Sequence, residues 1–257
     1  MGINLFFILF VGVLVGASSG YLGSFMVLKR MSLVGDALSH VALPGLAVAL
    51  TFGFNPMLGA LLALMIAILG IWYLSEKTEI YSEALVGVFF TASLALGILI
   101  TPEPELLEAL FGNFEKIGFL DGVVTVIASG VIFLVIKKIS DRLMLGVVSE
   151  DLAKSADIDI PKINLLYLLM VGLAVAIGVK FVGTLLTGAL VIVPAAAAKN
   201  LARSIKSFQT IAVVNGVIST IVGILLAKTL TIESGPSVVL VSIIIFIMSL
   251  LFKGKRV

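Results

Sequence analysis

An all-helical bundle embedded in a lipid bilayer is the fold that this sequence predicts. Apolar residues make up 60% of the 257 positions and charged residues only 12%, whereas a soluble domain carries about a quarter charged residues. The apolar residues are gathered into long stretches, and the basic residues fall mostly between alternate stretches. We therefore expect residues 1–257 to form a single transmembrane domain in the cell membrane.

Nine apolar stretches approach the length of about 20 residues that a bilayer crossing needs. They cover residues 3–28, 34–54, 56–74, 84–101, 120–136, 164–180, 183–198, 208–227 and 237–252. The first lacks the basic start and the cleavage site of a signal peptide, so we expect it to remain as a span. The sixth and seventh are divided only weakly, between Lys180 and Thr184. One bent span there, and eight spans in all, is the alternative.

The loop charges predict the orientation of the chain. With the N-terminus outside and nine alternating spans, 14 of the 17 lysines and arginines fall in inside loops. Only Lys116, Lys180 and Lys228 fall in outside loops. Cytoplasmic loops of membrane proteins are enriched in basic residues. This asymmetry predicts an N-terminus outside and a C-terminus in the cytoplasm.

Three further segments carry a local pattern. The outer loop EPELLEALFGNFEK, residues 103–116, is acidic and partly amphipathic, which favours a solvated or interfacial helix. The inner loop SEDLAKSADIDIP, residues 149–161, predicts a short surface helix, with its proline near the start of the next span. Within the first span, Gly12, Gly16 and Gly20 share one helix face and predict close packing against another helix.

Asp36 and His40 are the ionisable residues in the interiors of the predicted spans, away from their first and last residues, and His40 is the single histidine of the chain. A charged group at the centre of a membrane helix costs roughly 2.5–3.5 kcal/mol, so such residues are candidates for function. Residues four apart share a helix face, with Cβ atoms about 5–6 Å apart. A carboxylate and an imidazole together suit a divalent transition metal.

A structural role for the pair is the alternative. Asp36 lies near the start of its helix, where a carboxylate can cap free N–H groups, and His40 could then bond to a neighbouring helix. The residues alone leave both interpretations open. Because a metal takes four to six ligands, a metal site would need a two-fold dimer that brings two copies of each residue together.

The residues around the pair have weaker expected roles. Ser39 is a candidate for a supporting role behind the ligands. Pro44 and Gly45 are expected to kink or break the helix, and the backbone carbonyls released there could line a cavity.

Several functions are excluded or disfavoured by what the sequence lacks. The chain has no cysteine, so disulfides, thiolate ligands and cysteine nucleophiles are excluded. A net charge of +2 is too small to suggest binding to nucleic acid. The phosphate-binding string G-x-x-x-x-G-K-[ST] and the metalloprotease string H-E-x-x-H are also absent. We expect no catalytic residues and no permanently bound cofactor.

The segment GYLGSFMVLKRMSLVGDALSHVALPGLAVAL resembles the signature region of permease subunits of the bacterial manganese/zinc/iron metal-ion ABC transporter family. The stretches GTLLTGALVIVPAAAAKNLARSIKSF and SGPSVVLVSIIIFIMSLLF resemble the same family. The similarity covers nearly the whole chain, and the string DALSH is its most specific part.

The resemblance implies a permease dimer, two separate cytoplasmic ATPase subunits and an extracellular metal-binding protein. It implies that Asp36 and His40 are pathway ligands for manganese, zinc or iron, and that this chain is not itself an enzyme. It also implies a helix that docks into the ATPase, in the basic inner segment after the Pro194 span. That segment consists of Lys199, Asn200, Leu201, Ala202, Arg203, Ser204, Ile205 and Lys206.

Two other functions stay open at this point. A secondary metal or proton-coupled carrier would work without an ATPase, and neighbouring genes for an ATPase and a metal-binding lipoprotein would argue against it. A membrane scaffold that transports nothing would tolerate replacement of Asp36 and His40 without loss of metal uptake.

Overall fold

The computed structural model describes residues 5–100, 118–184 and 186–252, and over these ranges the chain forms ten helices and no strand. In chain order they are α1 (Leu5–Leu28), α2 (Val34–Phe52), α3 (Pro56–Lys77), α4 (Ser82–Ile100), α5 (Phe119–Val148), α6 (Glu150–Ser155), α7 (Ile160–Val182), α8 (Thr187–Leu201), α9 (Ile205–Leu230) and α10 (Ser234–Leu251). The predicted all-helical class is confirmed. The acidic outer loop 103–116 lies outside the described residues.

Eight of the described helices, all except α6 and α8, are long and apolar enough to cross a membrane. Helix α8 is apolar but has 15 residues, which gives it a length of about 22 Å at 1.5 Å per residue. The hydrocarbon core of a bilayer is about 30 Å thick. All nine predicted apolar stretches are therefore helical, but the seventh is too short for a full crossing.

The first and last helices run in the same direction. Gly12 of α1 lies against Ile224 of α9, and Gly20 lies against Ala212, so α1 and α9 are antiparallel. A short turn joins α9 to α10, and these two helices form an antiparallel hairpin. Helix α10 is thus parallel to α1, which places the start of α1 and the end of α10 at opposite ends of the bundle.

The glycines of α1 pack as predicted. A Cβ atom at Gly16 would lie 2.5 Å from the backbone oxygen of Gly216 in α9, closer than two such atoms approach in proteins. The backbones of α1 and α9 therefore touch, and a larger side chain at either glycine would force them apart.

Helices α7 and α8 meet at a reversal of chain direction. Val182, the last residue of α7, lies against Gly235 at the start of α10. The side-chain amide of Asn200, near the end of α8, donates a hydrogen bond to the Ser249 hydroxyl near the end of α10, at 2.9 Å. Helix α8 therefore runs away from the end of α7, alongside α10. Residues 164–198 therefore form two helices and not one bent span, while the alternative count of eight spans agrees with the eight described helices that are long enough to cross.

The long inner loop contains the short helix that its sequence predicts. Helix α6 begins where the Ser149 hydroxyl accepts a hydrogen bond from the Leu152 amide, at 3.3 Å. Helix α7 begins where an Asp159 carboxylate oxygen accepts one from the Lys162 amide, at 3.1 Å, with Pro161 in the first turn.

The core of the bundle forms around α7, which is the most buried of the long helices. Large buried side chains from α1, α2 and α3 pack there, among them Phe25, Leu38 and Ile68. Helix α4 is the least buried of the membrane helices and packs mainly on α2. This arrangement leaves one face of α2 near the surface of the chain.

Candidate metal centre

Asp36 lies in the first turn of α2, with an exposed side chain. The residue before the helix, Leu33, has no capping side-chain hydrogen bond. Over the described ranges the Asp36 carboxylate makes no hydrogen bond and no ion pair. A helix-capping carboxylate would accept a bond from a backbone N–H, so the geometry does not favour the structural alternative for Asp36.

His40 lies one turn further along α2 and is partly exposed. Its Nδ1 atom is buried and has no hydrogen-bond partner in the part of the chain that the structure describes. The imidazole meets the Phe90 ring of α4 edge-on, with 5.4 Å between ring centres and 67° between planes. This edge contact is a preferred aromatic geometry, so Phe90 holds the imidazole in place without occupying its nitrogens.

The face of α2 that carries the pair is exposed at its two ends and partly exposed between them, where α4 packs on it. Leu33 is 72% exposed, Val48 40% and Phe52 78%, and all three share the helical spacing of Asp36 and His40. A bare carboxylate on this face is costly against lipid, so another chain, water or a cation must cover it. Within the described residues no group of three or more His, Asp or Glu side chains could hold a metal. Each chain therefore offers two ligands.

Helix α2 does not break at Pro44 and Gly45 but continues from Val34 to Phe52 with Pro44 inside it, and a kink there stays a prediction. Gly45 packs directly on α3, where a Cβ atom would lie 2.7 Å from the Cβ of Ala63, and this contact supports the helix across the proline. Proline has no N–H, so the carbonyl of His40, four residues earlier, loses its helical donor. The proline thus leaves a backbone oxygen free at the residue that supplies the imidazole.

Ser39 lies behind the pair and joins α2 to a distant part of the chain. Its buried hydroxyl oxygen lies 2.7 Å from the carbonyl oxygen of Asp36 and 2.6 Å from that of Thr184. A Cβ atom at Gly188, in the first turn of α8, would lie 2.8 Å from the Cα of Asp36. The connection between α7 and α8 therefore packs against the turn of α2 that carries Asp36.

The segment expected to be an ATPase-docking helix is not a separate helix. Lys199, Asn200 and Leu201 end α8, and Ile205 and Lys206 begin α9. Between them the chain is non-helical from 202 to 204, and the Ser204 hydroxyl caps α9 by accepting a hydrogen bond from the Ser207 amide, at 3.2 Å. Residues 203–206 are exposed and Ala202 is buried. The segment forms an exposed corner at the same end of the bundle as α6.

Lys29, at the same end of the bundle as α6 and the 199–206 corner, has a structural role. The Lys29 ammonium, in the turn after α1, donates a hydrogen bond to the Asn164 side chain at 2.6 Å and lies 5.1 Å from the centre of the Tyr167 ring. Burial lowers the pKa of Lys29 to about 8, and the nearby charge of Glu150 opposes that shift. Lys29 thus fastens the turn between α1 and α2 to α7.

Eight long apolar helices indicate a multi-pass membrane protein, and one of them carries a carboxylate and an imidazole nitrogen that have no partner among the described residues. The model of the ABC 3 transport family matches residues 4–253, and the chain belongs to that family. It is 30% identical to the manganese transport system membrane protein MntC of Listeria monocytogenes over 252 residues, covering 96% of this chain and 90% of that protein. It is 32% identical to the high-affinity zinc uptake system membrane protein ZnuB of Haemophilus influenzae, covering 98% of both chains.

A solved structure has the same fold. PsaBC from Streptococcus pneumoniae in complex with Fab superposes with a TM-score of 0.84 and 29% identity, covering 96% of this chain and 91% of that one. The predicted class is confirmed: the chain is a multi-pass permease subunit of an ABC transporter in the cell membrane.

Proposed function

We propose that this permease carries a divalent transition-metal ion, manganese, zinc or iron, into the cell, with Asp36 and His40 as its ligands in transit. The observation that carries the proposal is that the Asp36 carboxylate and the His40 Nδ1 have no partner within the described residues. The names of the manganese and zinc relatives support the substrate class, and iron rests on the sequence resemblance.

Two copies of the chain would complete the site. A two-fold axis beside the exposed face of α2 would bring together two carboxylates and two imidazoles, since an isologous interface repeats the same patch. Four ligands of this kind suit a divalent transition metal. The same interface would cover Leu33 and Val48, which are exposed in the single chain. A transported ion must also leave, so the site should bind less tightly than a structural one.

Energy would come from separate ATPase subunits on the cytoplasmic side. Two exposed elements lie at the end of the bundle that we assign to the cytoplasm. One is the basic corner 199–206, and the other is α6, where Leu152 is 56% exposed beside Glu150 and Asp151. We propose that both elements form the ATPase face and that an extracellular protein delivers the ion to the opposite side.

The function is tested by metal uptake in a bacterium that lacks its own manganese and zinc importers. The chain is expressed with the ATPase and binding-protein genes that neighbour it, and uptake of each ion is measured with and without the ATPase. We expect uptake of at least one of the three ions, and only with an active ATPase. Uptake that persists without the ATPase would favour a secondary carrier and contradict the proposal.

The ATPase face is tested by two substitutions in the same system. Arg203→Glu reverses a charge in the corner, and Leu152→Asp removes the exposed apolar side chain of α6. Each should uncouple ATP hydrolysis from uptake, whereas Lys77→Glu, an exposed charge reversal at the end of α3, should not. Normal coupling in both variants would contradict the assignment of this face, and normal coupling in Arg203→Glu alone would leave α6 as the docking element.

A further inference from the structure

The connection between α7 and α8 is irregular backbone inside the bundle. Gly183 has φ 81°, a conformation that glycine adopts without strain. The Thr187 hydroxyl donates a hydrogen bond to the Gly183 carbonyl, at 2.6 Å, and Thr184 and Thr187 are fully buried. The non-helical backbone of this corner is thus buried in protein, which is the condition under which a membrane protein tolerates such backbone.

Two contacts fasten this corner to the turn of α2 that carries Asp36. The Ser39 hydroxyl lies 2.6 Å from the Thr184 carbonyl oxygen. On the other side of Asp36, the backbone at Gly188 is so close that a Cβ atom would lie 2.8 Å from the Cα of Asp36. Both contacts involve non-ligand atoms, and together they fix the backbone from which the Asp36 carboxylate extends.

The Ser39 hydroxyl has one proton and two acceptors within reach. The second acceptor, the carbonyl of Asp36, lies at 2.7 Å, and in a helix it already accepts the amide N–H of His40. The Thr184 carbonyl is outside a helix and depends more on the hydroxyl. If the corner moved away, the Ser39 hydroxyl could donate its hydrogen bond to the Asp36 carbonyl of its own helix instead. Separation of the two segments would then leave no unsatisfied hydroxyl on α2.

We propose that the contacts of α2 with Thr184 and Gly188, made through Ser39 and the Asp36 backbone, form a latch. The latch positions Asp36 to bind the cation while it is closed, and Asp36 becomes free to move when the corner and α2 separate. The proposal rests on the function proposed above, and Ser39 acts in it as a positioning residue. The buried Thr184 hydroxyl has no hydrogen-bond partner among the described residues. An unsatisfied buried hydroxyl is costly, and this cost disfavours a permanently closed latch.

The latch is tested by Ser39→Ala, with Ser242→Ala as the matched control. Both serines are buried and both bond to the carbonyl three residues earlier in their own helix, at 2.7 Å, but Ser39 alone of the two also reaches another element. Metal uptake is measured as a function of ion concentration. Ser39→Ala should raise KM about five- to tenfold, the loss expected for one hydrogen bond, and should change the maximal rate by less than about twofold.

A second pair of variants approaches the same contact from α8. Gly188→Ala adds a methyl group against the Asp36 backbone, whereas Gly130→Ala adds one where the structure shows open space. Gly188→Ala should raise KM in the same direction, and Gly130→Ala should leave it unchanged. If Ser39→Ala does not insert into the membrane, the KM of Gly188→Ala tests the latch in its place.

Asp36→Asn in the same assay separates failure of the latch from failure of the function. Normal uptake by Asp36→Asn would overturn the function and the latch together. Loss of uptake in Asp36→Asn, with a wild-type KM in Ser39→Ala and Gly188→Ala, would overturn the latch alone. A shift in Ser242→Ala as large as that in Ser39→Ala would also overturn it.

Discussion

Two pairs of ionisable side chains in this protein differ in how their charges are satisfied. Asp121, in the first turn of α5, and Lys180, in the last turn of α7, form an ion pair of 2.6 Å with side chains 25% and 30% exposed. Asp36 and His40 share one face of α2, and the described residues give no partner to the carboxylate or to Nδ1. The first pair is complete within one chain, and the second is not.

The difference separates a structural role from a functional one. A charge-assisted bond between two helix ends holds α5 against α7 and leaves nothing unsatisfied. An unpaired carboxylate on an apolar helix costs free energy in every folded molecule, so its presence requires a compensating partner. We propose that this partner is a transported cation shared with a second chain.

The largest expected effect comes from His40→Ala. It should reduce metal uptake to background, because half of the ligand set contributed by each chain is lost. The protein should still insert and purify as a single species, since the imidazole nitrogens support no contact in the described structure. Uptake is measured in cells beside Asp121→Asn, which should transport normally. An equal loss of uptake in His40→Ala and Asp121→Asn would contradict the distinction between a functional Asp36–His40 pair and a structural Asp121–Lys180 pair.

Labelling from outside the cell should place the two pairs relative to the membrane. The chain has no cysteine, so Leu120→Cys and Leu152→Cys, both at exposed positions, each introduce a unique thiol. A membrane-impermeant maleimide should label Leu120→Cys, beside Asp121, in intact cells and should label Leu152→Cys only after lysis. The opposite pattern would invert the proposed orientation.

A smaller effect is expected when the ion pair at the helix ends is broken. Lys180→Met should lower the melting temperature in detergent by about 2–6 °C, because it leaves a half-buried carboxylate without its partner. Asp36→Asn should not lower the melting temperature, since that carboxylate has no partner to lose among the described residues. A larger loss of stability in Asp36→Asn would mean that Asp36 has a structural role after all.

Most of the fold follows from the sequence because the bilayer demands long apolar helices. The ends of helices are less predictable. The stretch 120–136 was expected to end where Lys137 and Lys138 begin, yet α5 continues to Val148. Charges mark where a chain leaves the hydrocarbon, and a helix can continue into water beyond that point. The corner at 199–206 shows the converse, since the family resemblance implied a docking helix there and the chain instead turns.

The site was predictable only as far as its ionisable residues. Asp36 and His40 stand out in an apolar helix, but Phe90, Thr184 and Gly188 carry no local signal and reach the site from distant parts of the chain. Ser39 is 145 residues from Thr184 in sequence. Helix α2 continues through Pro44, and the packing of Gly45 on α3 beside the proline also carries no local sequence signal.

Direct metal binding tests the central claim. Purified wild-type protein, Asp36→Asn and Asp121→Asn would be equilibrated with Mn²⁺ and with Zn²⁺, and the bound metal would be counted per chain. We predict one ion for every two chains in the wild type and in Asp121→Asn, and none in Asp36→Asn, because asparagine keeps the size of the side chain and removes its charge. Undiminished binding by Asp36→Asn would contradict the account.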